Sequence, residues 1–426
     1  MKIRIVALAM LALLFGVNVG AQSAKPVVIA SHSILADVAR NVAGDHLEIR
    51  SLIPVGSDPH TFIPTPGDLA AVADADLVLI NGMGYEESLL DAIESAGESV
   101  RITVASACID IRPLGAHEDE MHDDDDEHAH EDDDDHEDET GHDDDEMHED
   151  DDEHAHEDDD EHAHEDDDEH AHEDDDEHAH DDDDDDEHAH EEDDDHAHED
   201  ELTGCDAQDA EFHAIGGHGH GEFLGRAEDI ECEAHDHGHE SGGDDHADGA
   251  CDPHIWFDPQ NVIRWALTMR DSFSTIDPDH AADYHERTLA YAEQLISLEK
   301  DFIWPALENL PAEKRVLMTA HDALGYLAGT FDFEIVSTVI PGVSTSVEPS
   351  ARDVAELIDL IRERELPAIF GESTTSDKVL QTIAQETGVE IVPLYTDSLG
   401  EVAGPAGAYL DYMRYNFSAI IEALSG

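Results

Sequence analysis

The chain has little positive charge. Lysine and arginine together number 19 against 110 aspartates and glutamates, giving a formal net charge of −91 over 426 residues. So few cations argue against a nucleic-acid backbone as partner, because that binding is driven by counterions that basic residues displace from phosphate. An anionic membrane surface is disfavoured for the same reason. Long apolar runs are also lacking. The best one, Ile5 to Val17, is too short to span a bilayer comfortably. Lys2 and Arg4 precede it and the small residues Val19, Gly20 and Ala21 follow, so residues 1–21 read as a secretory signal peptide cleaved after Ala21. No cysteine stands at the cleavage point, so no lipid anchor is expected there. The mature protein is expected to be soluble and periplasmic. Only four cysteines are present: Cys108, Cys205, Cys232 and Cys251. In an exported chain an even number suggests disulfides, and four allow three pairings. Cys205 with Cys232 and Cys108 with Cys251 is the favoured pairing. A zinc-thiolate site is disfavoured in an oxidising compartment.

What the chain has in excess is concentrated in one place. Residues 117–250 hold 68 of the acidic residues, 26 of the 33 histidines and one basic residue, Arg226. Elsewhere 42 acidic face 18 basic residues, as in a moderately acidic globular protein. The insert repeats Glu-His-Ala-His-Glu-Asp-Asp-Asp from Glu127, Glu153, Glu161 and Glu169, with degenerate copies at Glu177 and Glu187. With almost no apolar residue to bury, it cannot offset its ordering entropy and is expected to be disordered, apart from a short hairpin around the cysteines. Solvation alone does not need imidazole. In extended chain, residues two apart point the same way, so both histidines of each His-Ala-His can approach one ion. The insert is therefore expected to capture or buffer metal. About 290 residues remain outside it, enough for two domains.

In that remainder, strands and helices alternate, as in an α/β layer with a largely parallel sheet. Strands are expected at Val27–Ala30, Leu47–Ile53, Asp76–Ile80, Val316–Ala320, Glu334–Val339, Ala368–Phe370 and Val389–Pro393. Helices are expected over Ile34–Val42, Asp68–Ala73, Asp322–Ala328, Ser350–Arg364, Ser376–Glu386 and Tyr409–Leu424. Asp258-Pro259 starts a further helix, Asp as cap and Pro in the first turn. After Pro278, Tyr284, Tyr291, Leu295, Leu298 and Phe302 mark a long helix up to Pro305, long enough to bridge two lobes.

His321 and Asp397 each follow a predicted strand, and His60 lies in the loop after another. Open α/β sheets bind ligands outside the carboxyl ends of their strands. Asp58-Pro59-His60 and Asp252-Pro253-His254 repeat one tripeptide on either side of the insert, with Pro stiffening the chain just before each histidine. His60, His254, His321 and Asp397 would give three imidazoles and a carboxylate, a reasonable shell for a borderline divalent metal. His32 is a lesser candidate. His46, His280 and His285 read as surface residues, and Asp58 and Asp258 as turn and cap residues. Glu372 reads equally as a residue orienting a histidine or as a solvated carboxylate.

Together these stretches resemble the metal-specific cluster of periplasmic solute-binding proteins that feed ABC importers, in particular the zinc-binding component. The resemblance rests on the two Asp-Pro-His words, Pro64-Thr65-Pro66, Asp74-Ala75-Asp76-Leu77-Val78 with Asn81-Gly82, Ile255-Trp256-Phe257-Asp258-Pro259, Ala320-His321-Asp322-Ala323-Leu324-Gly325-Tyr326, Glu348-Pro349-Ser350 and Asp397-Ser398-Leu399-Gly400. It implies two Rossmann-like α/β lobes joined by one long linker helix, with metal bound between them at His60, His254, His321 and Asp397. The lobes would span 25–277, including the insert 117–250, and 311–426, with the linker at 278–310. It implies Zn²⁺ as transported ligand, an ABC-type membrane permease as partner, a monomer, and no enzymatic activity. In manganese-binding members the position of His321 resembles a glutamate. The alternatives are an importer component for manganese or another divalent metal, or a stand-alone periplasmic zinc buffer or chaperone. A zinc hydrolase is disfavoured, because no His-Glu-x-x-His helix word is present.

Overall fold

Short β-branched and apolar runs make several of the strands, as at Val27–Ala30, Leu77–Ile80 and Val316–Thr319. The computed structural model describes residues 24–86, 89, 100–114, 204–219, 225–226, 251–340, 342, 345, 349–373 and 378–426. The expected signal peptide, the acidic repeat and Cys232 lie outside these residues. Strand β1 (Val27–Ala30) leads into helix α1 (Ser33–Ala43), whose Ile34, Leu35, Val38, Ala39 and Val42 are buried. β2 (Glu48–Ser51), α2 (Pro66–Ala73), β3 (Leu77–Ile80) and β4 (Ile102–Val104) follow. A capping box between Thr65 and Asp68, with Pro66 in the first turn, starts α2. The four strands form one parallel sheet in the order β2-β1-β3-β4.

Next come β5 (Asp110–Ile111), α3 (Cys205–Ala214) and β6 (Gly225–Arg226), with β5 and β6 antiparallel. α4 (Pro259–Ile276) is capped by Asp258, which accepts from Gln260 N at 2.8 Å. The connecting helix runs as α5 (Ala281–Leu298), a π-wound turn (Glu299–Ile303) and α6 (Trp304–Leu307). It does not stop before Pro305, because Pro305 falls in the first turn of α6, where its missing N–H costs little.

The second lobe repeats the first. β7 (Val316–Thr319), α7 (Gly325–Phe331), β8 (Glu334–Thr338), α8 (Ala351–Glu363), β9 (Ala368–Glu372), α9 (Lys378–Thr387) and β10 (Glu390–Leu394) build a parallel sheet ordered β10-β9-β7-β8. In both sheets the first strand lies between the second and third. Each lobe thus has a topological switch point at the carboxyl end of its first strand. α10 (Tyr409–Ser425) returns toward the first lobe, where Tyr409 N donates to Asp37 Oδ2 at 2.9 Å and Tyr409 OH to Trp256 O at 2.7 Å. One large core runs through both lobes and includes Trp256, Trp265, Tyr284, Tyr291, Tyr409 and Tyr412; smaller apolar clusters involve each sheet. This is the expected architecture of two α/β lobes joined by a long helix.

One expectation near the insert fails. Cys108 pairs with Cys205, which excludes both favoured pairings, and Cys251 is also disulfide-bonded. The segment beginning at Cys205 is a helix, and most of the stretch up to Ala250 in which a hairpin is expected lies outside the described residues. Tertiary contacts explain the helix. Phe212 is fully buried with the Arg264 guanidinium 4.0 Å over its ring, Asp209 pairs with Arg264, and Glu211 pairs with Arg270.

Candidate metal centre

The two Asp-Pro-His words fold alike. In each, the aspartate Oδ1 accepts a hydrogen bond from the histidine backbone N at 2.9 Å, so a short Asx-type turn presents the imidazole. The other residues come from strand ends in the second lobe: His321 two residues after β7, and Asp397 three residues after β10. β7 lies at that lobe's switch point.

The structure brings His60, His254, His321 and Asp397 together, one ligand-type atom from each lying within 4.8 Å of all the others. His254 Nε2 lies 3.3 Å from His321 Nε2 and 3.3 Å from Asp397 Oδ1. His321 Nε2 is 3.7 Å from Asp397 Oδ2, and His60 Nε2 is 3.8 Å from Asp397 Oδ1. The side chains of His254, His321 and Asp397 are fully buried, and that of His60 is 8% exposed. His60 Nε2 and Asp397 Oδ1 are buried without a hydrogen-bond partner. Two imidazole lone pairs at 3.3 Å repel unless a proton or a cation lies between them. Converging nitrogen and carboxylate donors in a dry site suit a cation.

Carboxylates behind the rings fix their orientation. Asp252 Oδ1 takes a hydrogen bond from His254 Nδ1 at 2.9 Å, and Glu372 Oε1 takes one from His321 Nδ1. Both rings thereby turn Nε2 toward the centre. Glu372 is 5% exposed, which settles its role as orienting rather than solvated. Asp252 was not singled out in the sequence, although its place in the repeated tripeptide carried the signal. Gly325 makes room for it, since a Cβ there would collide with Asp252 Oδ2. Asn81, just past β3, donates from Nδ2 to Pro253 O at 3.0 Å and so holds the turn before His254.

These contacts govern the charges. Burial opposes the charged form of His254, but Asp252 and Asp397 outweigh it and push the imidazole up to about 10. Burial acts likewise on His321, and Glu372 and Asp397 raise it. Burial would raise Asp397, yet the imidazoles of His321, His254 and His60 hold it well below the usual carboxylate range. Protonated His254 and ionised Asp397 therefore pair in the metal-free protein.

Among the described residues, the other candidate histidines lie outside the cluster. His32 is buried against Tyr85 and Trp256 at 5.1 and 5.2 Å, and burial lowers it to about 3. His46 and His280 are half-buried rather than on the open surface, stacked at 3.9 Å and held by Asp283 and Asp277. His285 is exposed. Asp258 is a helix cap, as expected, and Asp58 closes its turn while its second oxygen accepts from the Thr345 hydroxyl.

Comparison with known proteins agrees with this architecture. The manganese-binding lipoprotein MntA of Halalkalibacterium halodurans is 22% identical over 399 residues, covering 93% of this chain and 88% of the relative. The zinc-binding protein TroA of Treponema pallidum is 34% identical over 183 residues, 41% of this chain and 58% of that protein. The solved structure of the Treponema pallidum periplasmic zinc-binding protein TroA superposes with a TM-score of 0.59 at 22% identity, covering 94% of this chain and 99% of that one. The iron-binding protein YfeA of Yersinia pestis is 32% identical over 175 residues, 41% of this chain and 55% of the relative. The profile of the family described as zinc-uptake complex component A, periplasmic, matches residues 28–423; the chain belongs to that family, the non-catalytic periplasmic metal-binding components of ABC importers.

Proposed function

We propose that this protein holds Zn²⁺ between its lobes through His60, His254, His321 and Asp397, and delivers it to an ABC permease for uptake. Relatives are named for manganese, zinc and iron, so the family leaves the metal open. The donor set favours zinc. The observation that carries the choice is His321: its Nδ1 is committed to Glu372, leaving Nε2 as a third nitrogen donor. Manganese favours oxygen-rich sites and stands lowest in the affinity order of divalent first-row metals. Three imidazoles and one carboxylate match zinc's preference for nitrogen and a small shell.

In this reading residues 1–21 are a cleaved signal. The lobes span 25–277 and 311–426, with 278–310 as the connecting element. One chain supplies the whole centre, so a monomer suffices. The insert 117–250 gathers or buffers metal. Competition tests the metal: a variant lacking residues 121–200, given equimolar Zn²⁺ and Mn²⁺, should retain zinc after gel filtration. Retention of manganese would overturn the zinc assignment while leaving the importer role intact.

A further inference from the structure

The centre draws its donors from both lobes, so its geometry depends on how those lobes are held in register. Ser398, the residue after Asp397, sits at that seam. Its Oγ accepts from Gly56 N at 2.7 Å, in the loop that carries His60. It lies 3.2 Å from Ser33 Oγ, at the start of α1. Ser33 Oγ accepts from Leu399 N at 3.0 Å, and Ser398 Oγ lies 3.0 Å from Leu399 O. The protons balance. Ser398 donates to Leu399 O, Ser33 donates to Ser398 Oγ, and the two backbone N–H groups each find a hydroxyl oxygen. Ser33 and Ser398 are 4% and 2% exposed, so water does not compete for these bonds.

Three segments therefore meet on two hydroxyls: the His60 loop, the N-terminus of α1, and the Asp397 turn of the other lobe. We propose that Ser398, backed by Ser33, is a positioning residue that fixes Asp397 against His60 and so sets how fast the bound metal leaves. The inference rests on the metal-centre reading above. Metal release requires His60 and Asp397 to part, and the serine bonds cross the seam along which they part. By the reverse path the seam closes only after metal has entered, so its bonds add to the barrier that a leaving metal crosses. The effect therefore falls on the dissociation rate, where most affinity differences between related complexes arise.

The test uses the full-length protein loaded with Zn²⁺ and mixed with excess EDTA in a stopped-flow fluorimeter. The Trp256 ring lies 5.4 Å from the His254 ring, so its emission reports on this centre. Trp256→Phe identifies that signal. Ser398→Ala should release metal about tenfold faster, the scale of one lost buried hydrogen bond, while the metal-free protein still unfolds cooperatively with at most a small fall in its midpoint. Ser33→Ala should act in the same direction, and the double variant should fall short of the product of the two effects, because the hydroxyls share one network. If Ser398→Ala does not fold, Ser33→Ala reads the same seam from the other lobe. Unchanged release in the serine variants overturns the proposal, as does faster release that only tracks a loss of metal-free stability. A parent protein with no zinc-dependent Trp256 signal, or one whose signal persists in His321→Ala, overturns the metal-centre reading itself and the proposal with it.

Discussion

At the scale of single residues, the centre is charged before metal arrives. His254 is raised to about 10 while Asp397 is lowered, so at neutral pH a proton occupies part of the space between them. The raised folded-state value means that protonated His254 stabilises the metal-free protein fully below about pH 6.5, its unfolded value. That stabilisation is lost as pH rises through about 10. A metal ion has to displace the proton, so zinc binding at pH 7.5 should release protons and weaken as pH falls. Calorimetric titration in two buffers of different ionisation enthalpy measures the number released; zero would contradict nitrogen ligation by His254. The carboxylates behind the rings make a second expectation. Asp252→Asn removes the charged acceptor of His254 Nδ1 and should weaken zinc binding by about 10–100-fold, the usual effect of losing an orienting partner. Gly325→Ala should act in the same direction without touching the centre, because its Cβ displaces Asp252 Oδ2.

At the scale of elements, strongly patterned segments were legible and segments held by tertiary contacts were not. β1, β3, α1 and α10 announce themselves through apolar runs or helical stripes, and the structure places them within a few residues of expectation. β4 is three residues long with Ile102 and Val104 exposed, too short and too open to give a run. α3 lies in His- and Asp-rich sequence that reads as insert, and its few buried residues, Cys205, Gln208 and Phe212, fall at helical spacing but include only one large apolar side chain. What makes it a helix is remote in sequence: the Cys108–Cys205 disulfide, Arg264 over Phe212, and Thr268 bound to Gln208 at 3.2 Å. Of the candidate centre, the four clustered residues were legible from the repeated tripeptide and the strand-end positions taken together with the family resemblance. Asp252 shares the signal of the repeated tripeptide, but that signal marks a turn and does not by itself reveal the hydrogen bond to His254 Nδ1. The anchoring of α3 is measurable. Phe212→Ala should cost about 3–5 kcal/mol in urea unfolding, the usual range for a fully buried phenylalanine. A loss below about 1 kcal/mol would mean that α3 is not part of the first-lobe core.

At the scale of the whole molecule, charge and fold separate along the chain. The octapeptide repeat supplies most of the net charge and almost no apolar surface, whereas the segment after it returns to the first-lobe core through Phe212. The boundary of what folding can spare therefore falls before Cys205, not at the end of the His-rich composition. Deleting residues 121–200 should preserve cooperative unfolding and one tight zinc site while removing weaker metal equivalents. Deleting 117–248 should destabilise the first lobe, because it removes α3 and leaves Cys108 without its partner. Zinc should still stabilise the shorter deletion, since a ligand that binds only the folded state contributes about 4 kcal/mol at a thousandfold excess over Kd. That gain spreads across both lobes, because one core runs through them. His60→Ala, His254→Ala and His321→Ala should each blunt the rise in melting temperature. If the 121–200 deletion folds but no longer takes up one tight equivalent, the principal site includes residues of the repeat, and the assignment to the strand ends and Asp-Pro-His turns is wrong.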